Sequence, residues 1–331
     1  MTEVLLDIQN LYVNYQIFEG TLKVLNGVNL ELGKGEKIGL IGETGCGKTT
    51  TMKSILRILP QPPALIQGGK VFFDGEDILK ANPKRLNQLR RLDISMIFQD
   101  PTASLNPVFK VGVQLGDVIK YNSLEAGESL SKEEIKHKSV EILKEVALPD
   151  PERLLDNYPI QLSGGMRQRI CIAMALVSAN KLLIADEPST NLDVTIGDQV
   201  LRLIGNLVEE KGTSVILISH ALGAVKGLVD RVAVMYAGNI IEDAKKEDLF
   251  SDPLHPYTRG LINSVPKLTG GGIPEGISGR LPDYINPPTG CRFSPRCPHV
   301  MPICRENMPQ FKDTGERHKV ACYLYGDEIN E

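Results

Sequence analysis

A chain of 331 residues has room for about two domains, and its 42% hydrophobic and 24% charged side chains are the balance of a globular protein able to bury a full core. A formal net charge of −4 argues against a general nucleic-acid binder. No apolar run approaches the roughly 20 residues of a bilayer-crossing helix, and Met1-Thr2-Glu3-Val4 shows no basic stretch leading into an apolar one, so a cytosolic chain is expected, held at any membrane by a partner.

Residues 4–32 alternate apolar and polar side chains, as in Val4-Leu5-Leu6-Asp7-Ile8 and Val24-Leu25-Asn26-Gly27-Val28-Asn29-Leu30, which predicts antiparallel strands with one polar face. Tyr15 falls between these runs. An aromatic ring ahead of a phosphate loop can stack on adenine, and equally can be an ordinary strand tyrosine. Lys37-Ile38-Gly39-Leu40-Ile41 reads as a buried strand, and residues 50–59 as a helix stopped by Pro60. Between them Gly42-Glu43-Thr44-Gly45-Cys46-Gly47-Lys48-Thr49 fits G-x-x-x-x-G-K-[ST] in the strand–loop–helix setting that the pattern requires. Its glycines let backbone N–H groups and a helix N-terminus wrap a phosphate. Lys48 then reaches the β- and γ-phosphates, and the Thr49 hydroxyl sits on Mg²⁺. By itself the loop specifies a nucleoside triphosphate and no more.

Residues 68–77 predict a hairpin turning at Asp74-Gly75. Ile94-Ser95-Met96-Ile97-Phe98 is a short buried strand broken at Pro101, which leaves Gln99 at a strand end. Residues 109–160 carry helical periodicity (Ile135, Val140, Ile142, Leu143, Val146) between the turns Pro149-Asp150-Pro151 and Asn157-Tyr158-Pro159. Ser163 is a natural N-cap, and Ser163-Gly164-Gly165 opens a helix whose N-terminus is an anion site; alone it would be an ordinary cap. The all-apolar run Leu182-Leu183-Ile184-Ala185 is a central parallel strand delivering Asp186 and Glu187 to the sheet edge where ligands bind. Asp186 there suits the Mg²⁺-holding carboxylate of a P-loop ATPase, and Glu187 is placed to polarise a water for in-line attack. Residues 213–219 form a further buried strand ending at His220. A histidine at that edge can hydrogen-bond a γ-phosphate, although a lone histidine is usually just a satisfied polar residue. Residues 231–242 close as a hairpin through Ala237-Gly238.

The cysteines are unevenly placed: Cys46 and Cys171 stand early, while Cys291, Cys297, Cys304 and Cys322 crowd the tail in C-x5-C-x6-C-x17-C spacing. In a reducing compartment such a group suggests a metal rather than disulfides, and a Pro-rich tail with weak patterning needs a staple to order it. Zn²⁺ and a 4Fe-4S cluster both accept four cysteines. Zinc ribbons favour tight C-x2-4-C pairs, and none occurs here, so the spacing favours 4Fe-4S with Zn²⁺ as the alternative. His299 and His318 are spare candidate ligands.

Taken together, these motifs resemble the ATP-binding subunits of ABC transporters, over residues 4–250 and in the family's order. In that resemblance Gly42, Thr44, Gly45, Cys46, Gly47, Lys48, Thr49 and Thr50 cradle ATP, and Tyr15 is the A-loop aromatic. Gln99 is the Q-loop glutamine, on Mg²⁺ with Thr49 and Asp186. Leu162-Ser163-Gly164-Gly165 is the signature, Leu182 to Glu187 the Walker B strand with its catalytic glutamate, Asn191-Leu192-Asp193 the D-loop and His220 the switch histidine. The resemblance implies an α/β P-loop NTPase fold. A nucleotide-binding domain over 1–250 would hold a RecA-like core, an antiparallel β subdomain and a helical subdomain near 100–165, and a small Cys-rich extension would follow over 251–331. It also implies that two such subunits pair head to tail, with Ser163, Gly164, Gly165 and Asp193 of one capping ATP on the loop of the other. Catalysis would then be electrostatic positioning with little covalent work by the protein.

A finer resemblance points to dipeptide and oligopeptide importers. It is carried by Met166-Arg167-Gln168-Arg169 after the signature, by Phe98-Gln99-Asp100-Pro101 with Ser104-Leu105-Asn106-Pro107, and by His255-Pro256-Tyr257-Thr258-Arg259-Gly260-Leu261. Pro295-Arg296-Cys297-Pro298 and His318-Lys319-Val320-Ala321-Cys322 also recur there, in some members as a cluster site. The implied substrate is a short peptide, although some relatives carry nickel or sugars. The implied partners are a second ATPase subunit (a related paralogue), two transmembrane permease subunits whose coupling helices meet the helical segment, and an extracytoplasmic peptide-binding protein. The chain would be peripheral, at the cytoplasmic face of the cell membrane, touching the membrane only through the permeases, and would bind no nucleic acid. Four positions depart from the pattern: Cys46 for Ser, Asn191 for Ala, Ala221 for Asp and Ser278 for Pro. None removes a catalytic group.

The alternative from another class is a soluble ABC ATPase acting on nucleic acid or ribosomes. Repair members carry long coiled coils between phosphate loop and signature, and translation-associated members usually hold two cassettes; neither feature is present. A nucleic-acid-binding zinc tail would use Arg292, Arg296, Arg305, Arg317 and Lys319, but lacks the aromatic platforms of a single-strand binder.

Overall fold

A computed structural model of the chain describes residues 3–190, 192–264, 276–315 and 317–326. The first elements are β1 (Val4–Ile17), β2 (Gly20–Gly33), β3 (Lys37–Ile41), α1 (Lys48–Ile55), β4 (Ala64–Phe73), β5 (Glu76–Asp77), α2 (Pro83–Leu92) and β6 (Ile94–Ile97). The middle of the chain holds α3 (Pro101–Ser104), α4 (Val111–Glu125), α5 (Lys132–Glu145), α6 (Pro151–Leu154), α7 (Gly164–Ser178), β7 (Leu182–Asp186), α8 (Val194–Lys211) and β8 (Ser214–Ile218). It closes with α9 (Leu222–Leu228), β9 (Arg231–Tyr236), β10 (Asn239–Lys245), α10 (Lys246–Ser251), α11 (Pro256–Asn263), α12 (Pro302–Glu306), β11 (Lys312–Asp313) and β12 (Lys319–Val320). Among the described residues no helix is long and apolar enough to cross a membrane.

These elements fall into two compact units. The first unites 1–33, 37–79 and 218–331. In it β1 pairs antiparallel with β2 and β4, giving the order β2-β1-β4-β5, the expected antiparallel β subdomain. Leu6, Ile8, Leu11 and Val13 of β1 are buried. The odd step from Ile8 to Leu11 is a bulge where Asn10 takes φ 47, and the bulge restores the inward face that strict alternation would have lost. The hairpin between β4 and β5 turns at Asp74 (φ 51) and Gly75 (φ 82), the left-handed pair that a two-residue turn needs. A second run in this unit has the order β11-β12-β10-β9-β3. There β3 lies parallel to β9, and β9 is antiparallel to β10 through Ala237 and Gly238, both at positive φ.

The second unit, 34–36 and 80–217, holds the run β8-β7-β6, with β6 parallel to β7 from Ile94↔Leu182 to Ile97↔Ala185. Every residue of β7 is buried, as an interior parallel strand requires. The expected helical segment is α3 to α6. There α5 starts with a full capping box, in which Ser131 and Glu134 each bond the other's backbone N–H.

Three local expectations are corrected. The helix after the phosphate loop is α1, starting at Lys48 and ending at Ile55, well before Pro60. It stops because Arg57 turns left-handed (φ 50) and Ile58 N–H closes on the Lys53 carbonyl at 3.0 Å, a C-terminal cap. The strand read to Phe98 ends at Ile97, leaving Phe98 39% exposed. Tyr15 lies inside β1 rather than between strands, half-buried, facing Leu22 on one side and Ala64 on the other.

Candidate functional site

The two units carry different parts of the expected site. The first holds Tyr15, the phosphate loop and His220; the second holds Gln99, Ser163, Gly164, Gly165, Asp186, Glu187 and Asp193.

The loop runs from the end of β3 into α1, and its shape demands its glycines. Gly42, Gly45 and Gly47 have φ of 152, 85 and 109. A Cβ on Gly42 would stand 2.1 Å from the Met235 carbonyl oxygen, and one on Gly47 would stand 2.8 Å from Leu25 Cδ2. Gly47 caps α1 without any side-chain hydrogen bond, so the first-turn N–H groups keep the partial positive charge that suits an anion. Lys48, 5% exposed, donates from Nζ to the Gly42 carbonyl at 2.8 Å and the Glu43 carbonyl at 3.0 Å. Its ammonium is therefore held over the loop by the loop's own backbone. Cys46 is fully buried beneath, its Sγ 3.7 Å from Lys48 Nζ, and burial raises its thiol pKa. Thr44 is exposed and Thr49 and Thr50 half-buried at the helix start. His220 is exposed two residues beyond β8. Ala221 caps α9 without a side-chain bond, and its N–H donates instead to Ser219 Oγ at 3.0 Å.

In the second unit the structure brings together Gln99 and Glu187, 88 positions apart: Gln99 Nε2 donates to Glu187 Oε2 at 2.9 Å. The Thr190 hydroxyl donates to the same oxygen at 3.1 Å. Glu187 takes φ 48 one residue past β7, a left-handed turn that redirects the chain as the strand ends. Asp186, last in β7, is 3% exposed. Ser163 caps α7, its Oγ accepting the Met166 N–H at 3.3 Å. The first turn of α7 lies against the start of α8: a Cβ on Gly165 would meet Ile196 Cγ2 at 3.2 Å. Asp193, exposed, is the N-cap of α8 without a side-chain bond. Asn191 lies outside the described residues. Thr190 was missed in the sequence; a hydroxyl three residues after a strand-end carboxylate is the signal that would have found it.

The tail cysteines ring one small cavity. Cys291, Cys297, Cys304 and Cys322 all line it, together with His255, His299, Phe293, Met301, Pro309 and neighbours. None is in a disulfide. Burial pushes the Cys291 thiol up to about 11 and raises Cys297 and Cys322. Among the described residues no three Cys, His, Asp or Glu side chains converge closely enough to hold a metal ion. The donor set nevertheless fits four-thiolate chemistry, with no carboxylate in the described wall. Beside it lies a buried polar knot. Glu242, 0% exposed, accepts from the Leu254 N–H at 2.7 Å, the His255 N–H at 2.9 Å and His318 Nε2 at 2.8 Å. His255 in turn caps α11, its Nδ1 accepting the Tyr257 N–H at 3.0 Å.

Similarity to known proteins agrees with this geometry. Residues 25–190 match the family described as ABC transporter, and residues 241–304 match the one described as Oligopeptide/dipeptide transporter, C-terminal region. The chain is 44% identical to a probable peptide ABC transporter ATP-binding protein of Sinorhizobium fredii, over 99% of this chain and 97% of that protein. It is 43% identical to the dipeptide transport ATP-binding protein DppD of Bacillus subtilis, over 97% and 95%. The fold is similar to the ATP-binding cassette MJ0796, solved as a dimer in a post-hydrolysis state with ADP and Pi, with TM-score 0.65 and 26% identity over 73% of this chain and 98% of that one.

Proposed function

The chain belongs to the ABC transporter family, with the C-terminal region of its oligopeptide/dipeptide transporters, and from that premise we propose that it is the ATP-hydrolysing subunit powering import of short peptides through a membrane complex. The second family match carries this reading: a cassette alone specifies an ATPase, whereas residues 241–304 tie it to peptide transport. Lys48 and Thr49 would hold the phosphates and Mg²⁺, Asp186 and Gln99 would complete the Mg²⁺ shell, and Tyr15 would face adenine. Glu187, oriented by Gln99 and Thr190, would polarise the attacking water. Ser163, Gly164, Gly165 and Asp193 would cap ATP on a partner ATPase, and His220 would bond its γ-phosphate. The partners are a second ATPase subunit, two permeases and an extracytoplasmic peptide-binding protein, which place the chain peripherally at the cytoplasmic face of the membrane. Similarity over 97–99% of the chain to peptide-transport proteins stands against the nucleic-acid alternative.

The four tail thiols would hold a 4Fe-4S cluster. All four line one cavity, and four thiolates are the ligand set such a cluster takes, with Zn²⁺ as the alternative. When bound, its positive core would favour the thiolates that burial alone disfavours.

The test is purification of the native complex and uptake into proteoliposomes. Labelled di- to pentapeptides should accumulate only with ATP, and uptake should vanish with Glu187→Gln. A complex that concentrates nickel or a sugar and no peptide overturns the substrate assignment.

A further inference from the structure

Three side chains of the C-terminal segment reach the phosphate loop. The Tyr257 hydroxyl accepts the Glu43 N–H at 2.8 Å. The Tyr284 hydroxyl donates to the Gly45 carbonyl at 2.8 Å. Arg296 Nη1 meets Glu43 Oε2 at 3.0 Å. Arg296 is itself held on several sides: Nε donates to the Ser278 carbonyl at 2.8 Å, Nη2 to the Ile277 carbonyl at 3.1 Å, and Nη1 also to the Tyr236 hydroxyl at 3.3 Å. With its side chain only 6% exposed, this is no freely solvated surface pair of negligible worth. Tyr257 is fully buried, so its hydroxyl is a fixed point and not a mobile surface group.

Glu43 and Gly45 occupy two of the unspecified positions of G-x-x-x-x-G-K-[ST], so the motif itself does not call for these contacts. They pin the first half of the loop, the half whose carbonyls at Gly42 and Glu43 hold Lys48 Nζ. The same residues form the surroundings of the cysteines. Arg296 immediately precedes Cys297. Phe293, two residues after Cys291, stacks edge-on against Tyr257 at 5.5 Å and Tyr236 at 5.1 Å, and lines the cysteine cavity.

We propose that Tyr257, Tyr284 and Arg296 are positioning residues for the phosphate loop, so that ATP affinity depends on the C-terminal segment and, through Arg296 and Phe293, on the cysteine group. The second half of that statement rests on the cluster reading above. The physical basis is preorganisation. A loop whose N–H groups and Lys48 are already convergent gives up less freedom on binding phosphate. The loop's shape serves bound ATP and the transition state alike, so loosening it raises KM and leaves kcat nearly unchanged.

The experiment measures ATP dissociation with a fluorescent analogue, and kcat and KM of hydrolysis, on the intact chain. Tyr257→Phe and Tyr284→Phe each remove one hydroxyl and should raise the ATP Kd and KM about fivefold, as loss of one hydrogen bond predicts. Arg296→Ala should raise them about tenfold, and Arg296→Lys should restore part of the loss by keeping a cation opposite Glu43. Glu43→Ala combined with Arg296→Ala should be no worse than Arg296→Ala alone, as expected for one shared interaction. The thermal midpoint without nucleotide reports a purely structural role. If it falls in these variants while the ATP Kd holds at the parent value, the positioning role is overturned. In the second arm, Cys304→Ser should raise KM in the parent, and by a smaller factor in Arg296→Ala, where only the route through Phe293 remains. A raised KM for Tyr284→Phe beside an unchanged KM for Cys304→Ser keeps the positioning role and overturns the link to the cysteines. Iron-free, colourless protein removes the cluster reading and leaves the tyrosine arm standing on its own result.

Discussion

At the scale of single residues, the sharpest expectation concerns Glu187. Its carboxylate accepts hydrogen bonds from Gln99 and Thr190, which aim it. Glu187→Gln keeps the size and removes the proposed base, so turnover should fall at least about 100-fold while ATP still binds. Steady-state phosphate release with a nucleotide-binding assay checks both halves, and undiminished turnover would remove Glu187 from the base role. Thr190→Val removes one of these donors from the carboxylate, and a smaller loss is expected, within about tenfold. Gly42 offers a second residue-scale test. Gly42→Ala would drive a methyl into the Met235 carbonyl oxygen, 2.1 Å from the ideal Cβ position, so the loop or β9 must shift. A lowered thermal midpoint together with loss of ATP binding is the expected pair of results. Cys46 behaves differently: fully buried, with a raised thiol pKa, it should resist alkylation in the folded chain.

Among the elements, α11 shows what the motif His255-Pro256-Tyr257-Thr258 is built for. His255 caps the helix, its N–H binds Glu242, and Tyr257 reaches the phosphate loop. Burial lowers the His255 pKa to about 4, although Glu242 opposes the shift. The unfolded chain, with an ordinary histidine near 6.5, therefore binds more protons than the folded one, and stability falls as pH drops from about 6.5 towards about 4. Between pH 7 and pH 5 the loss should be about 2 kcal/mol. Glu242 adds to this at lower pH. Burial alone would raise its pKa, but hydrogen bonds led by His318 bring it below the usual carboxylate value. Its contribution is present above the unfolded pKa and lost as pH falls through the folded one. His255→Asn keeps a capping oxygen and cannot titrate, so urea midpoints at the two pH values should differ less than in the parent. An equal drop in both proteins would assign the pH dependence elsewhere.

At the scale of the whole molecule, the cluster proposed for the tail has a direct test. Anaerobically purified chain should absorb near 400 nm and contain iron and sulfide in about the ratio of one 4Fe-4S cluster, and Cys304→Ser should abolish both. Stoichiometric zinc in a colourless preparation would replace the cluster with the alternative metal.

Much of this was legible in residue order because the relevant physics is local. The apolar run at 182–185 is a buried parallel strand wherever it lies, Ser163 before Gly164 caps a helix, and Asp74-Gly75 turns a hairpin; the structure contains all three. The glycine pattern at 42–47 likewise dictated left-handed backbone before any neighbour was known, and from these motifs in order the family itself could be read. The Asn10 bulge escaped, since a one-residue reset of strand alternation depends on which partner the strand finds. So did the early stop of α1, which a left-handed Arg57 imposes ahead of the visible proline. Only the tertiary structure decided that Gln99 meets Glu187 across 88 positions, that four cysteines spread through the tail face one cavity, and that Tyr257, Tyr284 and Arg296 hold the phosphate loop. Propensity and spacing act over a few residues, whereas contacts between distant segments exist only after the sheets have set their register and the core has closed.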